Sequence, residues 1–577
     1  MEEQRELTVL FYFASDNPLA PLVISEIKAI KDAGFQENTS VLVYFDPMEK
    51  NVPTQLFDVN RDRRKEEKTF IGDGRDPFVR NMAEDEVDPE ELTADMKKVL
   101  SASSTVTAFN SLANFVDFAI QKRGAKNYIL FLIGHGMIVG NDAFLPDDDP
   151  VSAITLSQLE TICEKFNQND ARLRLLALHS CSMSSIEVAY QLRGRADYML
   201  ATQGTSFVNG WPYRQMLKKT LNQIDRVKEK AREQVRKNNP NEQEAVKNAR
   251  VAEAANNARV DYDELIRKLY FLCMHNFTDF MNAGYSCDLV LCSLEESRLN
   301  DLKQPLNGLV SLLKKGLAPP VSLIKDLVLL SHWEAQSFWS ENYTDVWDFC
   351  DCLARRCRNT SAGLEKVAAN ESIIAQLTNI VDRCDEVKNI LAPEETARRS
   401  NAVVRQADNC GSEFQFARGL SIYFPWCEPL DDQRATFQSA QDDTERPQRE
   451  AKSKKILENY SEYDFTTEFG DDSWFHFLLE YFRQTKREQQ DLPQERFLSD
   501  SDRAAPRVVE ALRIAEKTFL NGVLKKTPEL KKTPEVGGDC TCPSIKNYPT
   551  YTDRMLRRFA ITPGALRAFI PRDHDDN

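Results

Sequence analysis

The chain has 577 residues, with 74 Lys and Arg against 89 Asp and Glu for a formal charge of −15, and 42% hydrophobic residues. That length holds several domain-sized units and a large core, and the acidic balance argues against a general nucleic-acid-binding surface. No stretch approaches the roughly 18 apolar residues of a membrane span, and thirteen cysteines in so long a chain read as reduced thiols of a cytoplasmic protein.

The chain opens on a polar stretch, Met1 to Glu6, which lacks the basic region of a secretory leader, and runs into a first strand at Leu7–Phe13. Helical spacing follows at Pro21–Ala33 and a strand at Ser40–Phe45. Residues 47–106 are a polar excursion containing Gly72 and Gly74, either a long connection near the site or a hairpin. Then come a helix at Thr107–Lys122, a strand at Tyr128–Ile133, a helix at Leu156–Phe166, a strand at Arg172–His179, a helix at Ser184–Leu192 and a strand at Tyr198–Ala201. Such alternation predicts parallel strands with helices on both faces.

Residues 1–221 therefore read as a catalytic-type core. Residues 222–267 are densely charged and read as an insertion of two helices joined at Pro240, because the residue before a proline resists the helical region. The insertion is a solvated hairpin, an exposed activation segment open to an upstream protease, or an arm for a protein partner. Residues 268–488 complete the sheet and add a helical layer. In that layer Cys350, Cys352 and Cys357 suggest metal ligands, but positions 350 and 352 face apart on a helix, which favours buried thiols. Residues 489–577 form a tail with a helix at Pro506–Leu524 and the six residues Leu524 to Glu529 repeated at Leu530 to Glu535, a linker or docking motif. Cys540 and Cys542 lack a matching second pair.

Two strands end on reactive side chains. The apolar run through Ile133 is followed by Gly134, His135 and Gly136, and the run through Leu178 by His179, Ser180 and Cys181. Open α/β sheets build their sites at the carboxyl ends of such strands. A free thiol, with pKa about 8.5, is mostly protonated at neutral pH, so a nucleophilic cysteine needs an imidazole beside it. Cys181 is thus the candidate nucleophile and His135 the acid/base, with the backbone N–H groups of Gly136 and Cys181 as oxyanion donors. Caspases likewise place histidine about 50 residues before cysteine. The competing reading is a hydrogen-bonded strand-end histidine and a buried cysteine.

The surrounding text resembles the clostripain-like cysteine peptidases of the caspase-like superfamily. Cys181, Met183 and Glu187–Tyr190 match the nucleophile segment, Asn209–Tyr213 the Asp-Gly-Trp-Pro-Tyr element, and Tyr285 onward the strand after it. Thr344–Phe349 and Gly419–Pro425 match later blocks. The resemblance implies a caspase-like, mostly parallel sheet flanked by helices, with the helical insertion and a C-terminal accessory region added here. It also implies hydrolysis of protein or peptide substrates with no cofactor for the chemistry, and calcium dependence as in some members.

Two positions depart from the family. Where it carries S1 aspartates selecting arginine or lysine, this chain has His179 and Asn209, beside Trp211. Without those carboxylates a buried guanidinium stays unpaired at a cost of several kcal/mol, so a non-basic P1 residue is expected, acidic or polar if His179 is protonated; the alternative is that His179 merely packs there and another acid serves the pocket. Asp288 is the alternative acid that would keep basic specificity. Family members are commonly activated by cleavage after a basic residue between the histidine and the cysteine, yet residues 136–164 contain no Lys or Arg. Asp147, Asp148 and Asp149 stand there instead, as processing positions, calcium-binding oxygens or a solvated turn. No EF-hand spacing is present. The reading is a regulated cysteine endopeptidase, a zymogen if the tail covers the cleft. A catalytically silent scaffold for partners is the competing class.

Overall fold

The computed structural model describes residues 5–16, 19–36, 38–47, 54–59, 86–101, 106–137, 139–140, 142–148, 151–167, 171–239, 243–282, 285–318, 323–338, 342–366, 371–391, 402–426 and 456–490. The features expected in the tail beyond residue 490, together with Pro240, Asp149, Gly72 and Gly74, lie outside them.

The strands, in chain order, are β1 (Arg5–Ser15), β2 (Thr39–Pro47), β3 (Gln55–Asp58), β4 (Ala125–Ile133), β5 (Phe144–Asp148), β6 (Val151–Ile154), β7 (Arg172–His179), β8 (Tyr198–Ala201), β9 (Cys287–Ser293), β10 (Ser337–Phe338), β11 (Tyr343–Asp345), β12 (Val404–Cys410) and β13 (Ser421–Tyr423). Eight form the central sheet in the order β12-β9-β8-β7-β4-β1-β2-β3. β2, β1, β4, β7 and β8 run parallel, while β3, β9 and β12 join antiparallel. The mostly parallel, helix-flanked sheet expected from the sequence is therefore what forms, and β2 with β3 makes the first part of the 47–106 excursion a hairpin.

Alternation along the strands sends side chains to opposite faces. Leu10, Tyr12, Leu130, Leu132, Leu176 and Leu178 pack on one side against α2 (Ala108–Lys122). Val9, Phe11, Phe131, Leu175 and Ala177 pack on the other with α1 (Ala20–Ala33) and Trp211. Each fully buried side chain of this kind contributes about 1.5–3 kcal/mol, so both faces are held firmly and the strand ends are fixed in space.

The charged segment is not a separate insertion at its start. A single helix, α3 (Tyr213–Asn238), runs through the boundary drawn at 221/222, and its first half buries Tyr213, Met216, Leu217, Leu221 and Ile224. α4 (Glu244–Asn257) and α5 (Tyr262–Asn282) follow. Cys350, Cys352 and Cys357 are buried in α6 (Val346–Lys366). Among the described residues, no helix is long and apolar enough to cross a membrane.

Candidate active site

β4 and β7 are neighbours, and their register pairs Ile133 with His179. His135 and Cys181 each stand two residues beyond that pair, so parallel pairing at a spacing of about 4.8 Å carries them to adjoining places on the carboxyl edge. The backbones then touch. A Cβ added at Gly136 would lie 1.8 Å from the Cys181 carbonyl oxygen and 2.9 Å from its nitrogen, so only glycine fits.

Cys181 is 1% exposed and His135 half-buried. Immediately after the thiol the chain turns through Ser182 with φ 58°, a left-handed conformation that costs an L-residue roughly 1–2 kcal/mol. The strain is held by two bonds: Ser182 N–H donates to the Gly204 carbonyl (3.1 Å) and its hydroxyl to the Gln203 carbonyl (3.3 Å). The helix that follows, Ile186–Gln191, is capped by Ser185, whose hydroxyl accepts from Val188 N–H (3.3 Å).

Residues 202–211, between β8 and α3, form a loop anchored at several posts. Gln203 and Gly204 N–H groups donate to the two carboxyl oxygens of Asp288 (2.6 and 2.9 Å). The Gln203 amide donates to Asp345 (2.9 Å) and accepts from Gly419 N–H (3.2 Å). Ser206 N–H donates to the Cys181 sulfur (3.2 Å), which lies 3.7 Å from the Ser206 carbonyl. His179 Nε2 donates to the Phe207 carbonyl (2.8 Å), and its Nδ1 meets the Tyr213 hydroxyl. A carbonyl can only accept, so Nε2 carries the proton and Nδ1 accepts from Tyr213.

These contacts correct several expectations about S1. His179 is 2% exposed, stacked on Trp211 at 4.4 Å, and burial pushes its pKa down to about 4. It is neutral near pH 7 with both nitrogens engaged, which argues against a protonated His179 recruiting an acidic P1 residue. β7 alternation explains the placement: 175, 177 and 179 share the face that packs against Trp211. Trp211 is fully buried. Asp288 is 1% exposed and occupied by two backbone N–H groups, which removes it as a ready carboxylate for a guanidinium. Asn209 alone of the four S1 candidates is exposed. Asp147 and Asp148 lie in the β5–β6 hairpin, Asp147 9% exposed and opposite Ser152. The sequence reading missed the 202–206 loop, although a run of small polar residues just past a strand end, Thr202 to Ser206, is a legible sign of backbone-rich contacts.

Burial raises the pKa of Asp288 to about 7, and Asp345 adds to the shift, its own carboxyl standing at about 6. The native state therefore binds more protons than the unfolded chain between the ordinary aspartate value near 3.8 and about 7, and stability falls as pH rises through that window. His179, with a lowered native pKa, has the opposite slope, but only between about 4 and 6.5. From pH 6.5 to 8 Asp288 should therefore pull the slope of the thermal midpoint downward, and Asp288→Asn should show a more positive slope than the wild type, as calorimetry across that range would read. Asn at this position also faces an N–H with an NH₂ group, so a general loss of about 1–3 kcal/mol is expected.

The sequence matches a family model described as the clostripain family over residues 11–429. No curated protein matches the chain. Solved structures similar to it include an inactive zymogen C11 protease from Parabacteroides distasonis, with 17% identity, a TM-score of 0.42 and coverage of 82% of this chain and 99% of that one. A secreted C11 cysteine protease from Bacteroides thetaiotaomicron, in complex with an irreversible peptide inhibitor, shows 13% identity, a TM-score of 0.38 and coverage of 80% and 99%.

Proposed function

The chain belongs to the clostripain family, and on that premise we propose that it is a cysteine endopeptidase working through Cys181 and His135, with a P1 pocket that takes a neutral residue. The observation that carries the dyad is the β4–β7 register together with the Gly136–Cys181 backbone contact. Cys181 gives its thiol proton to His135, and its Sγ attacks the scissile carbonyl carbon and forms the C–S bond. The resulting oxyanion lies toward the N–H groups of Gly136 and Cys181, and His135 gives a proton to the departing amine. Water then attacks the thioester with His135 as base, and the thiol is restored.

Neutral P1 selection is supported by what replaces the two S1 acids, a neutral buried His179 and the uncharged Asn209, and by the commitment of Asp288 to the loop. The near-complete burial of Cys181 under Ser206 supports a latent form, in which the 205–207 segment shifts before substrate enters. The exposed, basic second half of α3 suits an upstream protease or a partner as the trigger. Ten free thiols among the described residues support a reducing, cytoplasmic setting.

A fluorogenic panel with neutral, acidic and basic P1 residues, run with and without calcium and beside Cys181→Ala, tests the reading. Neutral P1 substrates should turn over at least about 10-fold faster than Arg or Lys, the scale of one lost charged contact. Fastest cleavage after Arg would return the specificity to an acid, and no cleavage under any activating condition would favour the scaffold.

A further inference from the structure

β9 begins at Cys287 and β12 ends at Cys410, and the antiparallel register sets these two residues directly opposite each other. We propose that Cys287 and Cys410 are a reversible oxidation site, a thiol pair that closes to a cross-strand disulfide by exchange with a low-molecular-weight disulfide of the glutathione class. The inference does not rest on the peptidase reading.

Directly opposed residues of antiparallel strands share a face, with Cα atoms about 4.5–5.5 Å apart, inside the roughly 4.4–6.8 Å that a disulfide spans. The two thiols lie close enough to shift each other's titration, and the Cys410 thiol donates to the Phe277 carbonyl (3.7 Å). The strand ends are pressed together just beside them: Gly411 has φ 83°, a Cβ there would sit 2.4 Å from Ser286 Oγ, and that hydroxyl accepts from Glu413 N–H (3.1 Å). β12 is an edge strand, and Cys410 is half-buried, whereas every other cysteine among the described residues is buried. An oxidant therefore meets Cys410 first. The adjacent Cys287 thiol lowers the Cys410 pKa to about 7, which makes Cys410 the attacking thiolate, and the pKa of Cys287 is raised.

The steps balance without another reagent. Cys410 thiolate attacks one sulfur of oxidised glutathione, forming a mixed disulfide and releasing one glutathione thiolate. Cys287, losing its proton to solvent, attacks the Cys410 sulfur and displaces the second. Two protein thiols are oxidised and one glutathione disulfide is reduced to two thiols. The bridge fixes β9 next to Asp288, the residue that carries the Gln203 and Gly204 N–H groups, so oxidation is felt at the loop over Cys181.

The test uses the full chain carrying Cys181→Ala, which removes the candidate nucleophile as a source of oxidation products. The folded protein is equilibrated with oxidised glutathione, quenched with iodoacetamide and mapped by mass spectrometry. The expected product is one crosslink joining the peptides of 287 and 410, lighter by two hydrogen atoms, reversed by dithiothreitol and accompanied by a rise in thermal midpoint. Cys410→Ser should abolish the crosslink, and Cys273→Ser should leave it. A stable glutathione adduct on Cys410 without the crosslink, or both cysteines recovered alkylated, would overturn the proposal.

Discussion

Cys181→Ala is expected to lower peptide-bond cleavage by about 10⁶-fold, to the background of the assay, the scale seen when the nucleophile of a concerted catalytic unit is removed. His135→Ala should cost about 10²–10⁴-fold, because the thiol remains but its proton partner is gone. The double variant should be no worse than Cys181→Ala alone, since the two groups act as one unit. Kinetics on the best substrate of the P1 panel reads all three. Because Cys181 is 1% exposed and its sulfur accepts the Ser206 N–H, alanine there leaves a small cavity and an unpaired donor, and the thermal midpoint should fall by the equivalent of about 1–3 kcal/mol. Cleavage that survives in Cys181→Ala would remove the nucleophile from this residue.

Gly136→Ala is expected to be the most damaging glycine-to-alanine change among the described residues. Inserting a methylene into a packed core ordinarily costs about 1–3 kcal/mol, and here the new carbon meets backbone that cannot rotate away, 1.8 Å from the Cys181 carbonyl oxygen. The strand ends must part, and a displacement near 1 Å at reacting groups is worth about 10²-fold in rate. Activity should fall by that factor or more, together with a drop in thermal midpoint. Gly363→Ala supplies the contrast. It lies in α6 with nothing within 4 Å of the added carbon, and glycine-to-alanine inside a helix should stabilise by about 1 kcal/mol. Equal effects from the two substitutions would mean that the Gly136 contact does not form.

The parallel half of the sheet was legible because β1, β4 and β7 are short apolar runs with polar or glycine punctuation, and Arg172–His179 and Tyr198–Ala201 fall where the sequence places them. The strand-end placement of His135 and Cys181 was legible for the same reason: each stands two residues past the end of such a run. What was not legible depended on distant partners. His179 reads as a pocket residue until Tyr213 and the Phe207 carbonyl occupy both its nitrogens. Asp288 reads as a spare acid until two N–H groups of the 202–206 loop claim it. The start of α3 was obscured because its buried face lies in Tyr213–Ile224, ahead of the charge-rich text that drew the boundary at 222. β12 is the weakest signal of all, since an edge strand carrying Arg405, Gln406, Asp408 and Asn409 has little apolar alternation to read.

The supports of the Cys181 turn come from far along the chain. Ser184 donates its hydroxyl to the Gly419 carbonyl (2.8 Å), Ser421 N–H returns a bond to the Ser184 carbonyl (3.0 Å), and Gln203 is pinned by Asp345 and Gly419. A ribosome adding about 5–20 residues per second delivers Gly419 roughly 10–50 s after Cys181. Throughout that interval the nascent chain exposes the thiol without the frame that aligns it. The turn at Cys181 is thus completed only once the segment from Gly419 to Ser421 has been made, long after the thiol itself.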